Sequence, residues 1–121
     1  MGSSSIQTTV ILAKRVLGVS VTDPRGRKIG RVVDLVLDPD SNKILFAVVR
    51  VREGWSSLKN RRAVVWSALN FDLFQNSYVM EVTEAQLRQA PTVPTGKLLR
   101  QDMLQTLDRA ADYYKGIGVV R

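Results

Sequence analysis

Two groups of charged side chains in this 121-residue sequence have types and spacings that could support chemistry. The first is Asp38-x-Asp40-x-Asn42, whose spacing matches the first half of a calcium-binding loop. Such a loop needs Gly at its sixth position and a bidentate Glu at its twelfth, where this sequence has Lys43 and Val49. We therefore interpret the triplet as the turn of a β-hairpin and predict no metal site.

The second group is a set of cations around one Trp, and it could bind anions. The cations could neutralise phosphate groups, and the indole ring could stack on a base. RNA-binding modules usually offer several stacking rings, however, and this group has one. Three interpretations stay open: a solvated surface, a docking site for an acidic protein, and a nucleic-acid interface. The members of the group are Arg25, Arg27, Lys28, Trp55, Lys59, Arg61 and Arg62.

The composition lacks the side chains that most enzymes use. The sequence contains no His and no Cys, which removes the commonest general base, any disulfide and any thiolate metal site. Residues 26–30, Gly-Arg-Lys-Ile-Gly, do not form a phosphate loop, because the Gly-Lys-Ser/Thr ending and the following helix are missing. Asp34 lies between apolar strand residues, where we expect it to pair with a nearby Arg in a structural ion pair. We predict a non-enzymatic protein without cofactors.

The chain is basic, with a net charge of +7 and a pI of about 10.3. A basic balance favours phosphates, anionic membranes or an acidic protein partner, and it is equally compatible with solubility alone. The apolar stretch at residues 10–13 is too short for a signal peptide or a membrane span. We therefore expect a cytoplasmic protein whose residues 1–8 form a flexible leader.

The charged groups depend for their positions on a series of short strands. Runs rich in Val, Ile and Leu at residues 16–21, 28–37 and 43–52 are separated by Pro-containing turns, which is typical of consecutive antiparallel strands. In such a meander the turn at Pro24 and the loop at Trp55 share one end, and the turn at Pro39 lies at the other. The pattern predicts a basic end and an acidic end, with a β-bulge near Gly30.

The third run is apolar on both faces, so we expect its outer face to be covered by the C-terminal helix or by another chain. Further strands are predicted at residues 63–66, 71–74 and 77–82, followed by a short helix capped by Thr83. Residues 98–115 lack Gly and Pro and predict a longer amphipathic helix. Its apolar stripe could pack on the chain's own sheet or form an oligomer contact, through Leu99, Met103, Leu107 and Tyr114.

Several of these segments resemble the PRC-barrel family in order and spacing over about residues 12–91. The resemblance is carried by Val16-Leu17-Gly18, by Ile29-Gly30-x-Val32-x-Asp34, and by Val65-Trp66-Ser67-Ala68-Leu69. One departure is Val65, where the family often has Pro. The family includes the cytoplasmic domain of the photosynthetic reaction-centre H subunit and the C-terminal domain of a ribosome maturation factor.

The resemblance implies a mainly β fold: a small antiparallel PRC-type β-barrel, with a short helix after the barrel and a C-terminal amphipathic helix. It implies no family-wide catalytic residues. Residues 9–91 would form the barrel, and residues 92–121 a linker and helical extension. The function predicted is a protein-binding adaptor that docks a protein partner or itself, with a homodimer as one possibility. The alternative is an RNA- or ribosome-associated factor that binds through the basic loop end.

Overall fold

The computed structural model describes residues 10–51, 60–96 and 99–120. Within these residues, six strands and three helices follow one another, with a single 3-10 turn at Trp66–Ala68. The elements are α1 (Ala13–Val16), β1 (Ser20–Thr22), β2 (Lys28–Asp38), β3 (Lys43–Val51), β4 (Arg61–Val64), β5 (Asn70–Asp72), β6 (Ser77–Val79), α2 (Glu84–Arg88) and α3 (Arg100–Gly116).

All six strands belong to one sheet in the order β4-β3-β2-β1-β6-β5. Four of the five pairings are antiparallel, but β1 runs parallel to β6. The sheet is therefore mixed, and the predicted antiparallel arrangement is found in four of the five pairs but not in this one. Within the described residues no hydrogen bonds join β4 to β5, so the sheet is not closed by hydrogen bonds into a barrel. The mainly β fold and the two predicted helices after the strands are confirmed.

The first predicted strand is wrong over its first half. Residues 13–16 form the helical turn α1, and β1 begins only at Ser20. Gly18 lies between them with φ of 88°, a left-handed conformation that Gly adopts without steric cost. The second and third strands agree with prediction to within one residue over the described part of the chain.

Strand β2 carries two extra residues relative to its partners. Ile29 has no partner between the pairs Val21–Gly30 and Thr22–Lys28, which is the bulge predicted near Gly30. A second irregularity leaves Val33 without a partner in β3. Gly30 itself lies against β3, because a Cβ atom there would come within 2.8 Å of the Arg50 carbonyl oxygen. The irregularities bend the long strand and increase its twist.

Residues 46–49 of β3 are all buried, and helices α2 and α3 both pack on this strand. Val49 lies near Gly30 and Leu87 of α2. Helix α3 packs on β3 and β4, where the Tyr114 hydroxyl donates a 3.2 Å hydrogen bond to the Ala63 carbonyl oxygen. The expectation that the C-terminal helix covers the apolar strand is thus confirmed, with the chain's own helix as the cover.

The short helix α2 begins with the cap predicted at Thr83. Thr83 Oγ1 accepts a 3.0 Å hydrogen bond from the Gln86 backbone N–H, and Gln86 Oε1 accepts a 2.9 Å bond from the Thr83 backbone N–H. This reciprocal capping box satisfies two backbone donors at the helix start. After α2 the chain runs beside β4, since the Ala63 N–H donates to the Pro91 carbonyl oxygen at 2.8 Å.

None of the helices in the described part of the chain combines the length and apolar character that crossing a membrane requires.

Candidate functional site

Three arginines lie directly opposite one another on adjacent strands. Arg31 of β2 pairs with Arg50 of β3, and Arg50 pairs with Arg61 of β4. Directly opposed residues point to the same face of a sheet, with their Cβ atoms about 5 Å apart. Arg31, Arg50 and Arg61 therefore form a line of cations across three strands, which we call the basic row.

An open depression lies beside the basic row. Its volume is about 260 Å³, and Lys28, Arg31 and Arg50 supply its cationic wall. Ser20 and Gly30 complete the lining. Ser20 lies directly opposite Arg31 on β1, so the depression spans three neighbouring strands. A hydroxyl, a glycine backbone and three cations are groups that could receive an oxyanion.

The charges of the basic row have no carboxylate partner among the described residues. The Arg31 Nη1 atom donates a 2.6 Å hydrogen bond to the Gly18 carbonyl oxygen, which holds its guanidinium beside the depression. The Nε atom of Arg61 is buried and has no hydrogen-bond partner in the same set of residues. Like charges directly opposite one another on a sheet are destabilising, so the row carries an uncompensated cost.

The predicted basic group is divided by the structure. Lys28 and Arg61 belong to the depression and the basic row. Trp55 and Lys59 lie outside the described residues. Arg25 is exposed, and its side chain makes no ion pair within the described chain.

Arg27 and Arg62 instead make contacts that stabilise the local structure. The Arg27 guanidinium lies 3.1 Å from Asp23. The Arg27 backbone N–H bonds to the same carboxylate and lowers the pKa of Asp23. Arg62 is half-buried and donates a 2.9 Å hydrogen bond from Nε to the Arg88 carbonyl oxygen, and its burial lowers its pKa. These two cations are therefore committed to local structure.

Sequence reasoning missed Arg31 and Arg50 as members of this site. The available signal was Arg50, a charged residue on the same face of an otherwise apolar run as Phe46 and Val48. Nothing in the sequence indicated that Arg31 would lie opposite it, because the register depends on the irregularities in β2.

The opposite end of the β2–β3 hairpin is acidic, and its buried carboxylate is neutralised by an arginine of α3. Asp38 is buried, and Arg100 at the start of α3 binds it in a bidentate pair with two N–O distances of 3.0 Å. Asp38 also accepts a 2.8 Å bond from the Ser41 hydroxyl. These hydrogen bonds, that of Arg100 first, hold the pKa of Asp38 well below its ordinary value of 3.8. Arg100 lies 3.3 Å from Asp40 as well.

The acidic triplet forms a hairpin turn, as predicted. The Asn42 N–H donates a 2.7 Å bond to the Asp38 carbonyl oxygen, and Asn42 adopts a φ of 59°. Among the described residues no cluster of three or more His, Cys, Asp or Glu side chains could hold a metal ion. Within the described chain Asp34 forms no ion pair, contrary to the prediction. Its carboxylate is exposed and accepts a 2.8 Å bond from the neighbouring Leu35 N–H.

A second surface is apolar and lies at the β5 edge of the sheet. Leu73 and Phe74 follow β5 and are exposed, Phe74 completely. Val10 and Leu12 are also exposed, and with Leu73 they line an open groove of about 630 Å³. We call Val10, Leu12, Leu73 and Phe74 the apolar edge. On its outer side β5 pairs with no other strand of the described chain.

The apolar stripe of α3 packs within the chain itself. Met103 and Tyr114 are buried in the chain's own core. An oligomer contact through α3 stays a prediction. Leu107 is half-buried against the same core, and Leu99 remains 43% exposed at the helix start. The alternative of packing on the chain's own sheet therefore accounts for the stripe.

Comparison with known proteins agrees with the fold. A search of curated proteins finds no match. Residues 8–87 match the family model of the PRC-barrel domain, which is well over half of the chain. On this match, and with the order of strands and helices described above, the chain belongs to the PRC-barrel domain family.

Proposed function

We propose that this chain is a non-enzymatic docking module that binds a protein partner through the apolar edge. The observation that carries the proposal is the complete exposure of Phe74 beside the half-exposed Leu73, at a sheet edge with no strand neighbour in the described chain. Contiguous exposed apolar surface on a small domain usually marks an interaction site. Membership of a family of interaction modules supports the same conclusion.

The described carboxylates favour binding over catalysis. A general acid at neutral pH needs a carboxyl group with a raised pKa. Asp23 and Asp38 are the carboxyl groups buried within the described residues, and both have lowered pKa values because they accept hydrogen bonds from Arg27 and Arg100. Their geometry serves a turn and an ion pair, so neither group is available to transfer a proton near neutrality.

Affinity purification with matched variants tests the proposal. Leu73 and Leu37 have almost the same exposure, 61% and 62%, but Leu37 lies in the β2–β3 hairpin, away from the apolar edge. We expect Leu73→Ser with Phe74→Ser to abolish recovery of proteins that co-purify with the wild type from the native cell. Leu37→Ser should recover them unchanged. Identical recovery with all three proteins would overturn the proposal.

Self-association through the same edge is a distinct version of this function, and sedimentation velocity at micromolar concentration measures it. A dimer that Leu73→Ser with Phe74→Ser converts to a monomer would identify the partner as a second copy. A wild-type monomer would exclude that version, and the purification experiment would then decide whether another protein binds.

RNA association is the second candidate, and the uncompensated basic row favours it. If the basic row contacts three phosphates of a single-stranded RNA, the logarithm of the binding constant should fall with the logarithm of the salt concentration with a slope of about −2. Fluorescence anisotropy with a labelled oligonucleotide measures this slope. Absence of binding at roughly 50 mM salt, where phosphate contacts are strong, would exclude the candidate.

A further inference from the structure

We propose that the depression beside the basic row is a binding site for a small phosphate-bearing ligand, such as free phosphate, pyrophosphate or a phosphate monoester. This site is separate from the apolar edge and does not depend on the protein-docking function. Its cationic wall consists of Lys28, Arg31 and Arg50, with Ser20 as a neutral hydrogen-bond donor.

The register concentrates the donors in a small area. Neighbouring strands lie about 4.8 Å apart, so the three arginines of the basic row span only about 10 Å. That span suits one phosphate or diphosphate group held between two guanidinium forks. Arginine binds phosphate oxygens through paired N–H donors, which combine charge with directional hydrogen bonds.

The site is partly organised before a ligand arrives. Arg31 is held by its 2.6 Å bond to the Gly18 carbonyl oxygen, so less side-chain freedom is lost on binding. Gly30 presents only backbone to the depression, because a Cβ atom on it would point away from the cations, towards the buried side chains of Val49 and Leu87. Three cations and this backbone surface therefore line the depression.

The charge balance of the rest of the domain leaves this site free for an anion. Asp23, Asp38 and Glu84 are each engaged by Arg27, Arg100 and Arg88 respectively. No described carboxylate forms an ion pair with Lys28, Arg31 or Arg50. A bound dianion would relieve the repulsion between the opposed arginines, which makes binding and stability interdependent.

Titration of the full-length chain with inorganic phosphate and with pyrophosphate tests the proposal, using NMR of the arginine Nε–H groups at constant ionic strength. We expect saturable shifts, with pyrophosphate binding more tightly than phosphate because it carries more charge. Acetate at the same ionic strength should bind far more weakly than either phosphate probe, since it carries a single charge and only two oxygens.

Two charge-matched double variants decide whether the basic row is responsible. Arg31→Gln with Arg50→Gln should weaken pyrophosphate binding by about a hundredfold, since each lost charged hydrogen-bonding group costs about a factor of ten or more. Arg109→Gln with Lys115→Gln removes the same charge from exposed positions of α3 and should change affinity less than about twofold.

Three results would overturn the proposal. One is no saturable shift with either phosphate probe. Another is equal weakening in the two double variants, which would make the effect one of net charge. The last is displacement of pyrophosphate by a single-stranded RNA that binds more than a hundredfold more tightly than pyrophosphate does. That result would make RNA the ligand of the basic row.

Discussion

The two ends of the β2–β3 hairpin carry opposite charge and differ in how that charge is balanced. At the turn, the Arg100 guanidinium at the start of α3 forms salt bridges with the carboxylates of Asp38 and Asp40. At the other end, Arg31 and Arg50 lie directly opposite one another, with no carboxylate partner among the described residues. We call these the closed end and the open end.

The difference indicates that the charges at one end stabilise the fold and that those at the other end do not. The closed end joins residues 62 positions apart, so its ion pair fixes the start of α3 against the hairpin. At the open end the charges of Arg31 and Arg50 only repel each other, so their electrostatic contribution to folding is unfavourable. Substitutions at the closed end should therefore lower stability, and removal of charge at the open end should raise it.

Loss of the Asp38 carboxylate should have the largest effect. Asp38→Ala removes both bonds to Arg100, the bond from Ser41 and the 3.2 Å bond from the Asp40 N–H at once. We expect a greater loss of unfolding free energy than for any variant of the basic row, measured by urea denaturation. A variant as stable as the wild type would show that the closed end does not fasten α3.

Acid should weaken the closed end reversibly. The pKa of Asp38 is lower in the folded chain than its ordinary value of 3.8, so the carboxylate contributes stability above about pH 4. That contribution is lost as the pH falls from about 4 towards the lowered pKa, because the unfolded chain takes up the proton more readily than the folded chain, which must give up the favourable contacts of the carboxylate to do so. Urea denaturation at a series of pH values measures the decline.

The Arg100→Gln variant is the control for this pH dependence. The Arg100 hydrogen bond is the main cause of the lowered Asp38 pKa, so the variant should lose less stability between pH 4 and pH 2 than the wild type. An Arg50→Gln variant should keep the wild-type slope. Equal slopes in all three proteins would show that other carboxylates control acid unfolding.

Adding a methyl group at Gly30, on the buried side of the sheet behind the open end, should have an intermediate effect. In Gly30→Ala the new methyl group would meet the Arg50 carbonyl oxygen at 2.8 Å and Val49 Cγ1 at 2.9 Å. We expect a loss of roughly 1–3 kcal/mol in unfolding free energy, as for other overpacked positions. Gly116→Ala, whose methyl group meets nothing within 4 Å, is the matched control and should not reproduce that loss.

Removing one charge of the basic row should have the smallest effect and the opposite sign. Arg50→Gln removes repulsion with both Arg31 and Arg61, so we expect a gain of about 0.2–1 kcal/mol in unfolding free energy. Added salt should stabilise the wild type more than the variant, because salt screens the same repulsion. A destabilised variant would contradict the idea that the open end is uncompensated.

Local sequence signals account for much of the fold. The Pro-containing turn at residues 38–42, the bulge at Ile29 and the cap at Thr83 each follow from short-range chemistry, and each is confirmed. The amphipathic pattern of α3 also identified buried Met103 and Tyr114 correctly as one apolar stripe. Such signals need only neighbouring residues, so a single sequence carries them.

Two features of the candidate sites depended on pairings that no local pattern specifies. The parallel pairing of β1 with β6 joins segments more than 50 residues apart, and nothing in either short strand selects the other. In the sequence, Arg100 is an ordinary basic residue near a helix start. In the structure, it forms an ion pair with Asp38 in a turn 62 positions earlier in the chain. Both choices are made by the way the helices and strands pack together.

The sequence by itself determined most of the strands, their turns, the family and the separation of basic from acidic charge along the hairpin. Only the tertiary structure decided that Arg31, Arg50 and Arg61 lie in one line and that Asp38 forms an ion pair with Arg100. The physical reason is register: a slip of one residue moves a strand side chain to the other face, and the bulges of β2 set that register through contacts across the whole sheet.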